Sequence, residues 1–210
     1  MKIIDYNKNL DKSALTNSAY EVCNNALFPV EYQDVYLHLF GSDDLILKLL
    51  LTENDKLAGF GVFENYNLTL DDEIITMLYL SGMVIDPKYQ GKNYSGKIIK
   101  EAYQNTNPDL ISLRTQNITM AKSLINSFKD NLYSLPDNID KEVINYLRQV
   151  EPFYNLDENG VIKNCYANQL YNNLDAIKDQ YNIILEPRDA LAVVVEPSTK
   201  QKTLSKLKKI

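Results

Sequence analysis

The chain has no tryptophan, two cysteines, one histidine and no apolar run long enough to cross a bilayer. Each scarcity removes a class of chemistry. Cys23 and Cys165 stand far apart, with no Cys-x-x-Cys partner and no metal-ligand spacing, so they read as free thiols and no metal is expected. So few cysteines fit a reducing compartment. His38 is the sole imidazole, which leaves no Ser-His-Asp arrangement to pursue beyond it. The N-terminal stretch MKIIDYNKNLDKS lacks the apolar core of a secretion signal, and the expectation is a cytoplasmic protein with no membrane partner. Without such a signal the triplets NLT and NIT mean nothing as glycosylation sites. The seven glycines and seven prolines are scattered, which excludes a fibrous or low-complexity class.

Positive charge is also short. The formal net charge is -6, so the chain as a whole does not attract polyanions, and no nucleic-acid partner is expected. The local exception is the stretch TKQKTLSKLKK at 199–209, which reads as a solvated tail. What remains is 210 residues with 45% hydrophobic and 24% charged types. That balance suits one globular domain over 1–210, carrying an insertion near 136–188 and the basic tail 199–210.

MKIIDY reads as a first strand. A helix follows to about residue 27, capped by Asp11 or Ser13, with Leu15, Ala19, Val22, Cys23 and Ala26 at helical spacing. A second helix is expected over 31–40. From Asp44 the period changes to that of strands, with a hairpin turning at Glu53-Asn54-Asp55. EIITMLYLSGMVIDP is the third member of that meander. Its apolar run implies burial on both faces, and Gly82 marks a bulge or a close backbone approach. A helix over 93–104, a strand in DLISLRTQN, a helix in ITMAKSLINSF and a strand in LYSL follow. The insertion holds a helix near 140–149 and an Asn-Gly turn, and DALAVVVEP returns as a central strand.

The segment QGKNYSGKI, at 90–98, concentrates glycine and lysine after an apolar strand, a pattern that wraps phosphate. Gly91, Gly96 and Lys97 match the nucleotide-triphosphate loop G-x-x-x-x-G-K-S/T, but Ile98 replaces the hydroxyl that ligates Mg²⁺, and an antiparallel meander precedes it. A metal-free cradle made of backbone N–H groups needs only small residues and positive φ. Asn93, Ser95 and Gly96 supply these, and Lys92 and Lys97 add charge.

The order of elements, with MVIDPKYQGKNYSGKIIKEAY and then LRTQNITMAKSLINSF, resembles the GNAT superfamily of N-acetyltransferases over about 56–128. Gln90 matches the first place of its Gln/Arg-x-x-Gly-x-Gly/Ala signature, while Asn93 and Ser95 stand where small residues are usual. The resemblance implies an α/β fold with a mixed, mostly antiparallel central sheet flanked by helices, and central strands that splay. It implies acetyl-CoA as cosubstrate. The backbone of Met83, Val84 and Ile85 would meet the pantetheine arm, the backbone of Gln90, Gly91, Lys92, Asn93, Tyr94, Ser95 and Gly96 the pyrophosphate, and Asn117 the sulfur end. It further implies an acetyl group moved to a primary amine by direct attack. Counting back from Gln90, the place of the family's base falls on Tyr79, with Glu73 and Glu64 as alternatives. The leaving-group acid falls to Tyr133, because Leu124 and Ile125 occupy its usual neighbourhood. The acceptor is a small-molecule or peptide amine, and the chain a monomer or homodimer. A non-catalytic acyl-CoA-binding sensor or interaction module is the other reading.

Overall fold

The computed structural model describes residues 1–26, 30–42, 44–70, 72–128, 131–167, 169 and 174–197, with backbone alone for 131–133. The basic tail lies outside the described residues. The chain condenses into two compact units, Met1–Asn65 with Leu80–Thr106, and Tyr66–Tyr79 with Asn107–Ile210.

The first unit opens with β1 (Lys2–Asp5), α1 (Lys12–Ala26), α2 (Tyr32–Phe40) and β2 (Ile46–Leu51). Two long strands, β3 (Leu57–Leu70) and β4 (Glu73–Ile85), contribute one half each to this unit and one half to the other. The unit closes with α3 (Tyr94–Thr106). Asp11 starts α1 by accepting from the backbone of Ser13 at 2.8 Å and Ala14 at 3.3 Å, a cap worth about 1 kcal/mol. Ala19, Val22 and Cys23 then fall on one face of α1, and Val35 and Leu39 on one face of α2. Both faces pack into a core with Leu47, Leu49, Phe60, Val62 and Val84 of the sheet. The β2–β3 turn places Asp55 at φ 57, as the predicted hairpin requires. Lys48 of β2 is fully buried, yet its Nζ lies 2.6 Å from Asp5 Oδ1 and 3.9 Å from Glu101 Oε1. The ammonium therefore ties β1 and α3 to β2 by charge, although no partner meets it in hydrogen-bond alignment.

The second unit holds β5 (Leu110–Thr115), α4 (Ile118–Ser127), β6 (Asn131–Leu135), α5 (Lys141–Leu147), β7 (Val161–Ile162), α6 (Asp175–Tyr181) and β8 (Ala190–Pro197). β8 is buried along its whole length and pairs antiparallel with β5, β6 and β7. The strand run is β1-β2-β3-β4-β5-β8-β6, with β7 joined to β8. This is a mixed α/β fold built on an open, mostly antiparallel eight-stranded sheet flanked by helices. Residues 136–188 supply part of the second core: Val143, Ile144, Leu147, Phe153 and Ile162 pack with Met77 and Tyr79 of β4 and Val194 of β8. The expected helix near 140–149 is α5, capped by Asp140. α6 departs from the sequence reading. It has seven residues and buries one of them, Ile177, so it makes no apolar stripe to find. Among the described residues no helix is long and apolar enough to cross a membrane.

Candidate functional site

β4 carries the first unit into its loop. Its residues Met77, Leu78, Tyr79 and Leu80 are buried in succession, so both faces are covered there, as the apolar run predicted. Near its end, Gly59 of β3 lets the strands close up: a Cβ there would stand 2.7 Å from Val84 O. Gly82 gives the close approach anticipated from the sequence. The imidazole of His38, from α2, sits where a Gly82 side chain would be. Asp86 then turns the chain. Its N–H donates to Ala58 O at 2.9 Å, and its carboxylate accepts from Lys88 N at 2.9 Å and from Asn25 Nδ2 at 3.4 Å.

The loop is held from below and open above. The Gln90 side chain folds back so that Nε2 donates to Ile85 O at 2.8 Å. Gly91 has φ 74, with nothing within 4 Å of a Cβ built on it. Asn93 has φ 56, the left-handed conformation expected of it. The first helical bond of α3 is Lys97 N–H to Asn93 O at 3.2 Å. The N–H groups of Tyr94 and Gly96 precede that bond and have no acceptor inside the helix. Two left-handed residues feeding a thirteen-residue helix make an anion cradle from backbone alone. Lys92 Nζ lies 5.7 Å from the Tyr89 ring and Lys97 Nζ 5.1 Å from the Tyr94 ring, which keeps both charges beside the loop. α3 seats on the sheet through Gly61, where a Cβ would come within 2.8 Å of Ile98. Of the strand residues expected to meet the cofactor, Val84 is buried and Met83 and Ile85 are half-buried.

No family model matches the chain, and no curated protein matches it. Many solved structures do. The ribosomal-protein-S18-alanine N-acetyltransferase of Escherichia coli is 14% identical, with 96% of this chain and 97% of that one aligned at a TM-score of 0.53. A GNAT family acetyltransferase of Staphylococcus aureus is 21% identical over 56% of this chain and 89% of its own, at a TM-score of 0.44. Aminoglycoside 6'-acetyltransferase type Ii is 15% identical over 65% of this chain and 87% of its own, at 0.46. The first of these, aligned end to end, decides the architecture. The fold is that of the GNAT acetyltransferases.

Within the GNAT fold the remaining expected residues fall in the second unit. Tyr79 is 3% exposed and meets Tyr66 and Phe153 edge-on, each at 6.0 Å between ring centroids. Glu73 opens β4 and is exposed. Asn117 is the N-cap of α4: Oδ1 accepts from Thr119 N at 2.8 Å, and its own N–H donates to Thr115 Oγ1 at 2.8 Å. Tyr133 lies in β6 by its backbone, and its side chain lies outside the described residues. Burial pushes the Cys23 and Cys165 thiols up to about 11 each, so both stay protonated at neutral pH. Among the described residues no three His, Cys, Asp or Glu side chains cluster as metal ligands would.

One group escaped the sequence reading. Arg114 is the only charge in β5, and its guanidinium lies 5.7 Å over the Tyr166 ring. Burial pulls the Arg114 pKa down, while the acidic groups around it, Tyr79 first and then Tyr166, Cys165 and Glu151, raise it to a net upward shift. A single charge inside an apolar strand was the available signal.

Proposed function

We propose that the chain is an acetyl-CoA-dependent N-acetyltransferase that acylates a primary amine by direct attack. The observation that carries this reading is the loop: Gly91 and Asn93 both left-handed, open space above Gly91, and a helix N-terminus immediately behind. Such a cradle suits a diphosphate and asks for no cation. Acetyl-CoA supplies the activated acyl carbon, on which the C–N bond forms as the C–S bond breaks and the departing thiolate takes a proton. The backbone of Met83, Val84 and Ile85 would meet the extended arm, and the loop from Gln90 to Gly96 would hold the pyrophosphate. By the resemblance Asn117 would serve the sulfur end, and Glu73, Tyr79 and Tyr133 are the candidates for moving protons. The protonated thiols of Cys23 and Cys165 disfavour an acyl-cysteine intermediate and favour attack in a ternary complex. The setting is cytoplasmic.

Calorimetric titration with acetyl-CoA and with ATP-Mg²⁺ tests the loop. Acetyl-CoA is expected to bind without metal, and Gly91→Val to weaken it about tenfold, because a β-branched residue is strained at that φ and projects into the cradle. Equal affinity for ATP-Mg²⁺ ends the reading. The burial of Tyr79 favours a second reading, an acyl-CoA-binding module without turnover. Release of free thiol in the presence of an amine panel separates the two: binding with no transfer to any amine leaves the module.

A further inference from the structure

The loop explains one half of a transferase and leaves the acceptor unnamed. The second unit speaks to it. Leu110, Ser112 and Arg114 alternate onto one face of β5, and across the strand pair Ser112 stands opposite Val194 and Arg114 opposite Ala192. That face is the one the 136–188 segment covers, since Leu110 and Val194 share a core with Phe153 and Ile162. Two polar groups on it are unanswered. Ser112 Oγ is fully buried and has no hydrogen-bond partner. Among the described residues no carboxylate lies within ion-pair distance of Arg114, and its guanidinium N–H groups have no acceptor.

The groups around the guanidinium fix it without neutralising it. Its Cζ lies over the Tyr166 ring, 5.7 Å from the centroid, and the Tyr166 hydroxyl donates to Arg114 O at 3.3 Å. Tyr166 is itself held on both sides, its N–H donating to Arg188 O at 3.0 Å and its carbonyl accepting from Arg188 Nε at 3.1 Å. A guanidinium held over an aromatic ring keeps its planar set of N–H donors, which matches a carboxylate. Lys163 of the same unit, by contrast, is already used: its Nζ is 2.7 Å from Asp189 Oδ2. Among the described residues Arg114 thus has no counter-ion, and a half-buried charge without one is costly unless a ligand brings it.

We infer that Arg114, held over Tyr166 and on the same face of β5 as Ser112, binds the carboxylate of the acceptor, so that the acetylated amine belongs to an amino acid or a similar acid. This rests on the transferase reading for its purpose, although the anion site stands on its own geometry. It departs from a polycationic acceptor, which the guanidinium would repel.

Thermal shift of the full chain, with each common amino acid and its carboxamide as probes, tests the inference. At least one amino acid is expected to raise Tm by about 2 °C at millimolar concentration while its carboxamide does not. Arg114→Met is expected to abolish the difference between acid and amide, and Arg114→Lys to keep about half of it, since the charge stays and the fork goes. Equal responses to acid and amide, no response to any acid, or a difference that survives Arg114→Met overturns it. The measurement uses no acetyl-CoA. A chain that ignores acetyl-CoA yet tells acid from amide through Arg114 loses the transferase reading and keeps the site, and the reverse result removes the site alone.

Discussion

Two cations are withdrawn into the sheet, one in each unit, and they are treated in opposite ways. Lys48 is completely buried and answered by Asp5 and Glu101. Arg114 is partly buried and, among the described residues, meets the Tyr166 ring and no counter-ion, with Glu151 a weaker influence on it than Tyr79, Tyr166 and Cys165. A buried charge with a counter-ion holds a structure together, and breaking the pair is expensive. A charge that the fold positions without a counter-ion contributes little to stability, and its use lies elsewhere. The contrast separates a fastening from a binding group by chemistry alone.

The largest effect belongs to the fastening. Asp5→Asn leaves the Lys48 ammonium buried with only Glu101, 3.9 Å away, and removes the carboxylate that also accepts from Asn105 Nδ2 at 3.4 Å. We expect a loss of about 3 kcal/mol in urea unfolding. Lys48→Met removes the charge together with its desolvation cost and should lose less, because Asp5 is well exposed and hydrates once freed. Equal losses from the two variants would mean that Lys48 is held by packing of its stem, and the contrast with Arg114 would dissolve.

The paired cation of the second unit gives the next test. Lys163 donates to Asp189 at 2.7 Å, and Asp189 also accepts from Asn164 N at 3.1 Å and Glu186 N at 3.4 Å. Burial alone would raise the Asp189 pKa, but the Lys163 hydrogen bond and these amides hold it below its usual 3.8. A carboxyl lowered on folding adds stability above its unfolded pKa and loses it as pH falls through the folded one. Asp189→Asn is therefore expected to cost about 2 kcal/mol at pH 7, with the gap to the natural chain closing below about pH 4. Lys163 is shifted the other way, raised chiefly by its bond to Asp189, so its share is complete below its unfolded pKa and fades as pH rises through the folded value. Chemical unfolding across the acid range reads the first effect. A gap that persists unchanged at pH 2 would place the role of Asp189 in packing.

What the sequence disclosed follows the same division. The loop was legible because its signals are local: an apolar run, Pro87, then Gly91 and Asn93 where positive φ is needed and then a helical stripe. Seven of the eight strands and five of the six helices were likewise readable from period and caps; the exceptions are the two-residue β7, seen only as an Asn-Gly turn, and α6, with one buried residue. Asn117 shows both modes at once. The resemblance points it at a ligand, while its place before ITMAKSLINS is the ordinary position of a cap, and the structure shows that cap. The Arg114 cluster was not legible, because it gathers Tyr79, Arg114, Glu151, Cys165 and Tyr166 from four stretches of chain that share no period. A counter-ion can be missing only in three dimensions.

The smallest effect sharpens the comparison from the binding side. Ser112 Oγ is buried without a partner, so the free protein carries the cost of a desolvated hydroxyl. Ser112→Ala removes that cost and leaves a void of about one oxygen atom. It should raise stability by about 1 kcal/mol in urea unfolding. If the hydroxyl serves an acid held by Arg114, the same variant gains stability while losing part of its response to that acid. A fastening never behaves so: trimming Asp5 or Asp189 weakens the fold and improves nothing. A loss of stability in Ser112→Ala would reveal that the hydroxyl is already bonded, and Arg114 would then stand alone as the unanswered group.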